Sequence, residues 1–211
     1  MKNKKLLSQN QRLYHLSLPI IGLTGGVATG KSTVSNILKD KGIPVICADE
    51  LIKKIYQKED SKDFIQKNFG QVMLNNQIDF KKLRHLAFEN KDHLVTLESF
   101  LYPQLEIEFK KKLTSLGEKL PYIIYDIPLM FEKNLQTKFD LSVVVYCPEK
   151  TQLERLQSRD QIRPELAKKM IIQQLSIENK KKLADYVIDN SSDVENLILQ
   201  VDLFLASLQH L

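Results

Sequence analysis

The sequence predicts a doubly wound α/β fold in which helices flank a five-stranded parallel sheet. Three observations carry this. Five strand-like runs, 20–24, 44–47, 122–127, 141–147 and 186–188, alternate with helical stretches. Several are β-branched and almost continuously apolar, as strands covered on both faces must be. From the first run to the helical pattern after it, four of the chain's seven glycines fall within nine residues, at Gly22, Gly25, Gly26 and Gly30.

In chain order, residues 1–18 form an N-terminal extension, and 19–211 form the folded body. Met1 to Ser17 is Lys-rich and polar, with neither the apolar region nor the cleavage site of a signal peptide, and is expected to be a frayed lead-in. Ile20 to Thr24 is the first strand. After it comes Gly25-x-x-x-x-Gly30-Lys31-Ser32, the spacing of a P-loop, then a helix marked by Val34, Ile37 and Leu38. Strand, glycine loop and helix in this order define a P-loop NTPase fold. The glycines let backbone N–H groups converge on one anion, and the helix adds its positive end. Gly25, Gly26, Val27, Ala28, Thr29, Gly30, Lys31, Ser32 and Thr33 are therefore the candidate phosphate-binding residues. Lys31 can reach the β- and γ-phosphates, and the Ser32 hydroxyl can ligate Mg²⁺.

The stretch of about 50–120 shows no strand pattern. Leu51, Ile52, Ile55 and Tyr56 recur at helical spacing, as do Leu94, Leu97, Leu101, Leu105 and Phe109. It reads as an inserted helical subdomain able to close over an acceptor. Pro103 is expected to start or kink a helix there. The polar segment 155–164, within a lid of about 155–170, is the second candidate for movement.

Ligands of such sheets bind beyond the carboxyl ends of the strands. Asp126 ends the third run, where a carboxylate partners P-loop Mg²⁺; a turn-forming Asp is the alternative. Asp49 follows the second run. It reads equally as the base that takes a proton from an attacking hydroxyl and as the N-cap of a helix beginning at Glu50. Arg155 and Arg159 share one helix face. They suit a γ-phosphate, or else surface pairing with Glu154 and Asp160.

Composition narrows the function classes. The net charge of +5 and a pI near 9.0 suit a polyanionic ligand. Basic–aromatic interleaving of the RNA-binding kind is missing, so nucleic acid is not an expected partner. The lysine runs 110–112 and 180–182 read as solvated helix faces. No apolar stretch approaches membrane-spanning length. Cys47 and Cys147 each end an apolar run and read as small core residues of a reducing cytoplasm. The four histidines show no ligand spacing.

At this point the chain resembles the dephospho-coenzyme A kinase family over 20–204. The residues that carry the resemblance are Gly22-Leu-Thr-Gly-Gly-Val-Ala-Thr-Gly-Lys-Ser-Thr-Val34, Val45-Ile-Cys-Ala-Asp-Glu50, Asp126-Ile-Pro-Leu-Met-Phe-Glu132, Gln152-Leu-Glu-Arg-Leu-Gln-Ser-Arg-Asp160 and Ala184-Asp-Tyr-Val-Ile-Asp-Asn190. The resemblance implies transfer of phosphate from ATP to the ribose 3′-hydroxyl of dephospho-CoA, giving CoA and ADP. It implies Asp49 as base, Lys31 and the lid arginines Arg155 and Arg159 on the phosphates, Ser32 and Asp126 toward Mg²⁺, and Asn190 near the adenine of ATP. The partners are then small molecules, ATP and dephospho-CoA, and a cytoplasmic monomer or weak homo-oligomer is expected.

The chain also departs from the family pattern. Cys47 stands for the first Asp of an Asp-Ala-Asp triplet, Tyr102 for a His before Pro103, Glu106 for an Arg and Phe80 for an Arg. Three of these lie in the helical stretch, where Lys81, Lys82 and Arg84 are candidate replacements. A kinase for a nucleoside monophosphate or a sugar acid is the alternative these departures raise. A nucleotide switch lacks its guanine-specificity element, since Asn90-Lys91-Asp92-His93 does not match it.

Overall fold

The computed structural model describes residues 6–208, apart from 76, 118 and the side chain of Phe88. The first five residues of the N-terminal extension, and the last three of the chain with His210, lie outside the described residues. The chain divides into two compact units, one of 1–46 with 119–211 and one of 47–118.

The first unit is built on five strands: β1 (Ile20–Gly25), β2 (Val45–Cys47), β5 (Ile123–Asp126), β6 (Leu141–Tyr146) and β7 (Tyr186–Asp189). Their order is β2-β5-β1-β6-β7. β1 pairs in parallel with β5 and with β6, and β6 in parallel with β7. Every residue of β1 and β6 is buried, which is why both read as nearly continuous apolar runs. Gly22 has no room for a side chain: a Cβ there would lie 2.5 Å from Met130 Sδ and 3.0 Å from the Phe139 ring. On one face of the sheet, α1 (Lys31–Asp40) packs with α9 (Val194–Leu208), bringing Val34 and Leu38 against Leu197, Val201 and Phe204. Helices α6 (Glu149–Asp160), α7 (Pro164–Ile172) and α8 (Ile177–Leu183) fall between β6 and β7 in the chain.

The N-terminal segment is not frayed over its described part. Arg12 forms a fork on Asp140, with Nε to Oδ2 at 2.8 Å and Nη2 to Oδ1 at 3.0 Å, and both groups are buried. Asp140 also accepts the N–H groups of Leu7 and Ile20, at 2.7 and 2.8 Å. The segment is thereby tied to the start of β1, with Leu16 buried beside it. Breaking a buried ion pair from one side leaves a charge without its partner. Arg12→Met is expected to cost about 3 kcal/mol and to lower Tm by roughly 6–12 °C. Thermal unfolding followed by circular dichroism measures this, and an unchanged Tm would contradict it.

The second unit contains α2 (Ala48–Tyr56), α3 (Glu59–Phe69), α4 (Phe80–Glu89) and α5 (Lys91–Ser115). Ile65, Phe69, Val72, Leu83, Ala87 and Leu97 form its core, and the Phe64 and Phe100 rings stack at 4.2 Å. The sequence pattern missed a small antiparallel hairpin, β3 (Met73–Leu74) with β4 (Gln77–Ile78). Strands of two residues are too short to show alternation; Asn75 takes the left-handed conformation of a turn, at φ 49°. Asn90 caps α5 through the Asp92 N–H, and the helix runs on through Pro103, so Pro103 does not start it.

Within this unit Glu108 is buried. It accepts from Lys58 at 2.8 Å and Lys111 at 3.2 Å, with Lys54 at 3.5 Å. The hydrogen bond from Lys58 leads in lowering its pKa to about 2. Because the folded value lies below the ordinary 4.5, the stabilisation is complete above about 4.5 and is lost as pH falls toward 2. Wild type is therefore expected to exceed Glu108→Gln by ~1–3 kcal/mol at pH 7. The gap should narrow in melts between pH 4.5 and pH 2; a constant gap would contradict the assignment.

Candidate active site

The glycine loop leaves the carboxyl end of β1 and runs into α1. Two of its residues take positive φ, Ala28 at 59° and Gly30 at 88°. Such alternation builds a concave row of N–H groups suited to an anion. Gly30 is required twice over, since a Cβ there would meet Asn190 Nδ2 at 2.1 Å. The first turn of α1 supplies the N–H groups of Lys31, Ser32 and Thr33, which have no partner within the helix.

Not every loop residue faces a ligand. The Val27 N–H donates to Gln174 Oε1 at 2.9 Å, and its carbonyl accepts from Gln152 Nε2 at 2.7 Å. Thr29 is buried, and both its N–H and its hydroxyl donate to the Gly26 carbonyl. Val27 and Thr29 thus shape the loop. Asn190 is nearly buried and donates to the Thr29 carbonyl at 2.8 Å.

Lys31 and Asp126, the residues read toward phosphate and metal, meet: the Lys31 ammonium donates to Asp126 Oδ1. Ser35 donates to Asp126 Oδ2 at 2.6 Å. Sequence reasoning missed Ser35, although its place one helical turn after Lys31 was a usable signal. Asp126 is buried at the end of β5, and Ser32 is exposed on the first turn of α1. Among the described residues, no three His, Cys, Asp or Glu cluster as metal ligands. One carboxylate and one hydroxyl suit Mg²⁺, which keeps most of its shell for water and phosphate oxygens.

A cleft of about 240 Å³ opens beside the loop, lined by Gly30, Thr33, Arg155, Asn190, Asp193 and Leu197 among others. Arg155 of α6 therefore reaches the site. Arg159 on the same helix is exposed and forks onto Asp160 at 2.7 and 2.9 Å, the surface pairing. The segment 155–164 is helical to Asp160, turns at Gln161, and re-enters a helix at Pro164.

Asp49 belongs to the second unit and is exposed. It is not an N-cap: α2 begins at Ala48 with Cys47 in the capping position, so Asp49 lies inside the first turn. Cys47 is partly buried and lies outside the core, whereas Cys147 is buried, and burial pushes its thiol pKa up. Phe80 is half-exposed, edge-on to Tyr56, and Glu106 pairs with Lys110 at 2.6 Å.

The 180–182 run holds the largest departure from expectation. Lys180 is fully buried, with Nζ 2.9 Å from the Gly25 carbonyl and 2.8 Å from Glu132 Oε1. A helical signal existed for it. Ile177, Lys180 and Ala184 fall at i, i+3 and i+7, and the structure buries all three.

A parallel sheet with a glycine loop at a helix N-terminus, and with a lysine and a carboxylate at its mouth, defines a P-loop kinase. The dephospho-CoA kinase family model matches residues 19–196, and the chain belongs to that family. It is 41% identical over 191 residues to the dephospho-CoA kinase of Fusobacterium nucleatum, covering 90% of this chain and 98% of that protein. A crystal structure from Thermus thermophilus superposes with a TM-score of 0.82 at 26% identity, covering 91% of this chain and 98% of that one. The Campylobacter jejuni dephospho-CoA kinase gives 0.62 at 27% identity, covering 89% and 96%.

Proposed function

We propose that this protein transfers the γ-phosphoryl group of ATP to the ribose 3′-hydroxyl of dephospho-CoA, giving CoA and ADP. The observation that carries the phosphoryl-transfer half is the Lys31–Asp126 pair at the mouth of the glycine loop. The family supplies the acceptor.

On this reading the loop N–H groups and the α1 N-terminus take the β- and γ-phosphates, with Lys31 leaving Asp126 for them. Ser32 and Asp126 would hold Mg²⁺, which when bound would neutralise phosphate charge. Arg155, already lining the cleft, contacts the triphosphate, and Asn190 borders the adenine. Arg159 joins when its fork to Asp160 opens, as the lid of about 155–170 closes. Asp49 accepts the proton of the attacking hydroxyl. The helical unit binds the acceptor, and closure excludes water so that phosphate passes to the hydroxyl. No helix among the described residues is long and apolar enough to cross a membrane. We read the protein as a cytoplasmic monomer or weak homo-oligomer.

The test is ADP release from ATP with Mg²⁺ or with EDTA. The acceptors compared are dephospho-CoA, a nucleoside monophosphate and sugar acids. The reading expects Mg²⁺-dependent release with dephospho-CoA alone. Faster release with another acceptor would overturn it.

A further inference from the structure

Lys180 donates to three acceptors from two other parts of the chain: the Gly25 carbonyl at 2.9 Å, the Pro128 carbonyl at 3.3 Å, and Glu132 Oε1 at 2.8 Å. An ammonium group has three N–H donors, so all of them are used. We propose that Lys180 is a positioning residue for ATP, clamping the start of the glycine loop to the segment that follows Asp126. The inference rests on the kinase reading of the loop and not on the identity of the acceptor.

Three observations lead there. First, a fully buried ammonium is an expensive way to fill a core, since an apolar side chain of similar volume serves packing as well or better. Its retention calls for a role that an apolar side chain lacks. Second, the peptide plane links the Gly25 carbonyl rigidly to the Gly26 N–H, which points the opposite way. Pinning the Gly25 oxygen to Lys180 therefore fixes the direction of an N–H in the anion-binding row. Third, the same ammonium holds Pro128, whose carbonyl also accepts from Thr24 Oγ1 at 3.0 Å. One group thus sets the loop that carries Lys31 and the strand end that carries Asp126.

The rest of α8 is arranged to deliver Lys180. The Ser176 hydroxyl caps the helix through the Asn179 N–H, and Glu178 accepts from the Tyr146 hydroxyl at 2.7 Å. Lys181 lies 3.7 Å over the Tyr146 ring. Glu132 is held in turn by the Leu175 N–H at 3.0 Å. Burial lowers the Lys180 pKa, and its hydrogen bond to Glu132 opposes this.

The test is a calorimetric titration of Mg-ATP into wild type, Lys180→Met and Arg12→Met, with Tm recorded for each. Arg12→Met is the control that loses stability far from the loop. Lys180→Met is expected to bind roughly ten-fold more weakly or worse. Arg12→Met should bind as wild type does despite its lower Tm. In turnover assays, KM for ATP should rise while KM for dephospho-CoA stays put. Wild-type affinity in Lys180→Met, or equal losses in both variants, would overturn the proposal. If Lys180→Met does not fold, Glu132→Gln replaces it. That variant keeps an acceptor oxygen but removes the counter-charge. A loss of roughly three-fold is then expected, and unchanged affinity overturns the idea. Because the titration contains no acceptor, a wrong acceptor assignment leaves its outcome readable.

Discussion

Asp49→Asn is expected to bind Mg-ATP as wild type does and to lose about 10²–10⁴-fold in kcat with dephospho-CoA. The carboxylate is exposed in the first turn of α2 and caps nothing, so its replacement by an amide of the same shape should not unfold the helical unit. The amide retains the side chain's size but cannot take a proton at neutral pH. Tm within a degree or two of wild type, intact ATP affinity and lost turnover together identify a base. Normal turnover by a folded Asp49→Asn protein would remove Asp49 from the chemistry and point to another proton acceptor.

Lys31→Met is expected to act on the other side of the reaction, with kcat/KM for ATP falling about 10²–10³-fold. It should also act on the fold, because Asp126 is buried and loses its cationic partner. Among the described residues, the Ser35 hydroxyl then remains on that carboxylate, and a stability loss of about 1–3 kcal/mol follows. The exchange of partners proposed for Asp126 adds a signature. With Lys31 gone, Mg²⁺ alone should raise the Tm of the variant more than that of wild type. Steady-state kinetics and paired melts with Mg²⁺ or EDTA read both effects. A variant with wild-type kcat/KM, or with the same Mg²⁺ response as wild type, would contradict the role given to the pair.

What was legible in the sequence was what is local. β1 and β6 are buried along their whole length, so their apolar runs were nearly continuous, and the glycine loop lies between strand and helix in the chain itself. Asp126 was legible because it ends a strand. The supports of the loop were not, because they come from far along the chain. Gln152, Gln174, Lys180 and Asn190 reach Val27, Gly25 and Thr29 across 125 to 161 residues. Lys180 was read as solvated because lysine runs usually are, and the apolar spacing of its neighbours was outweighed. Arg12 looked like part of a polar tail because its partner, Asp140, is 128 residues away. The exposed state of Arg159, folded back on Asp160, was the alternative already visible in the sequence.

The most direct test of the account is the product. The protein is incubated with Mg-ATP and dephospho-CoA, and the acceptor is recovered and analysed by mass and by phosphorus NMR. The expected product is a species heavier by one phosphate, carried as a monoester on the ribose 3′-hydroxyl, and formed together with ADP. Unmodified dephospho-CoA beside consumed ATP, or a phosphate placed elsewhere on the molecule, would contradict it.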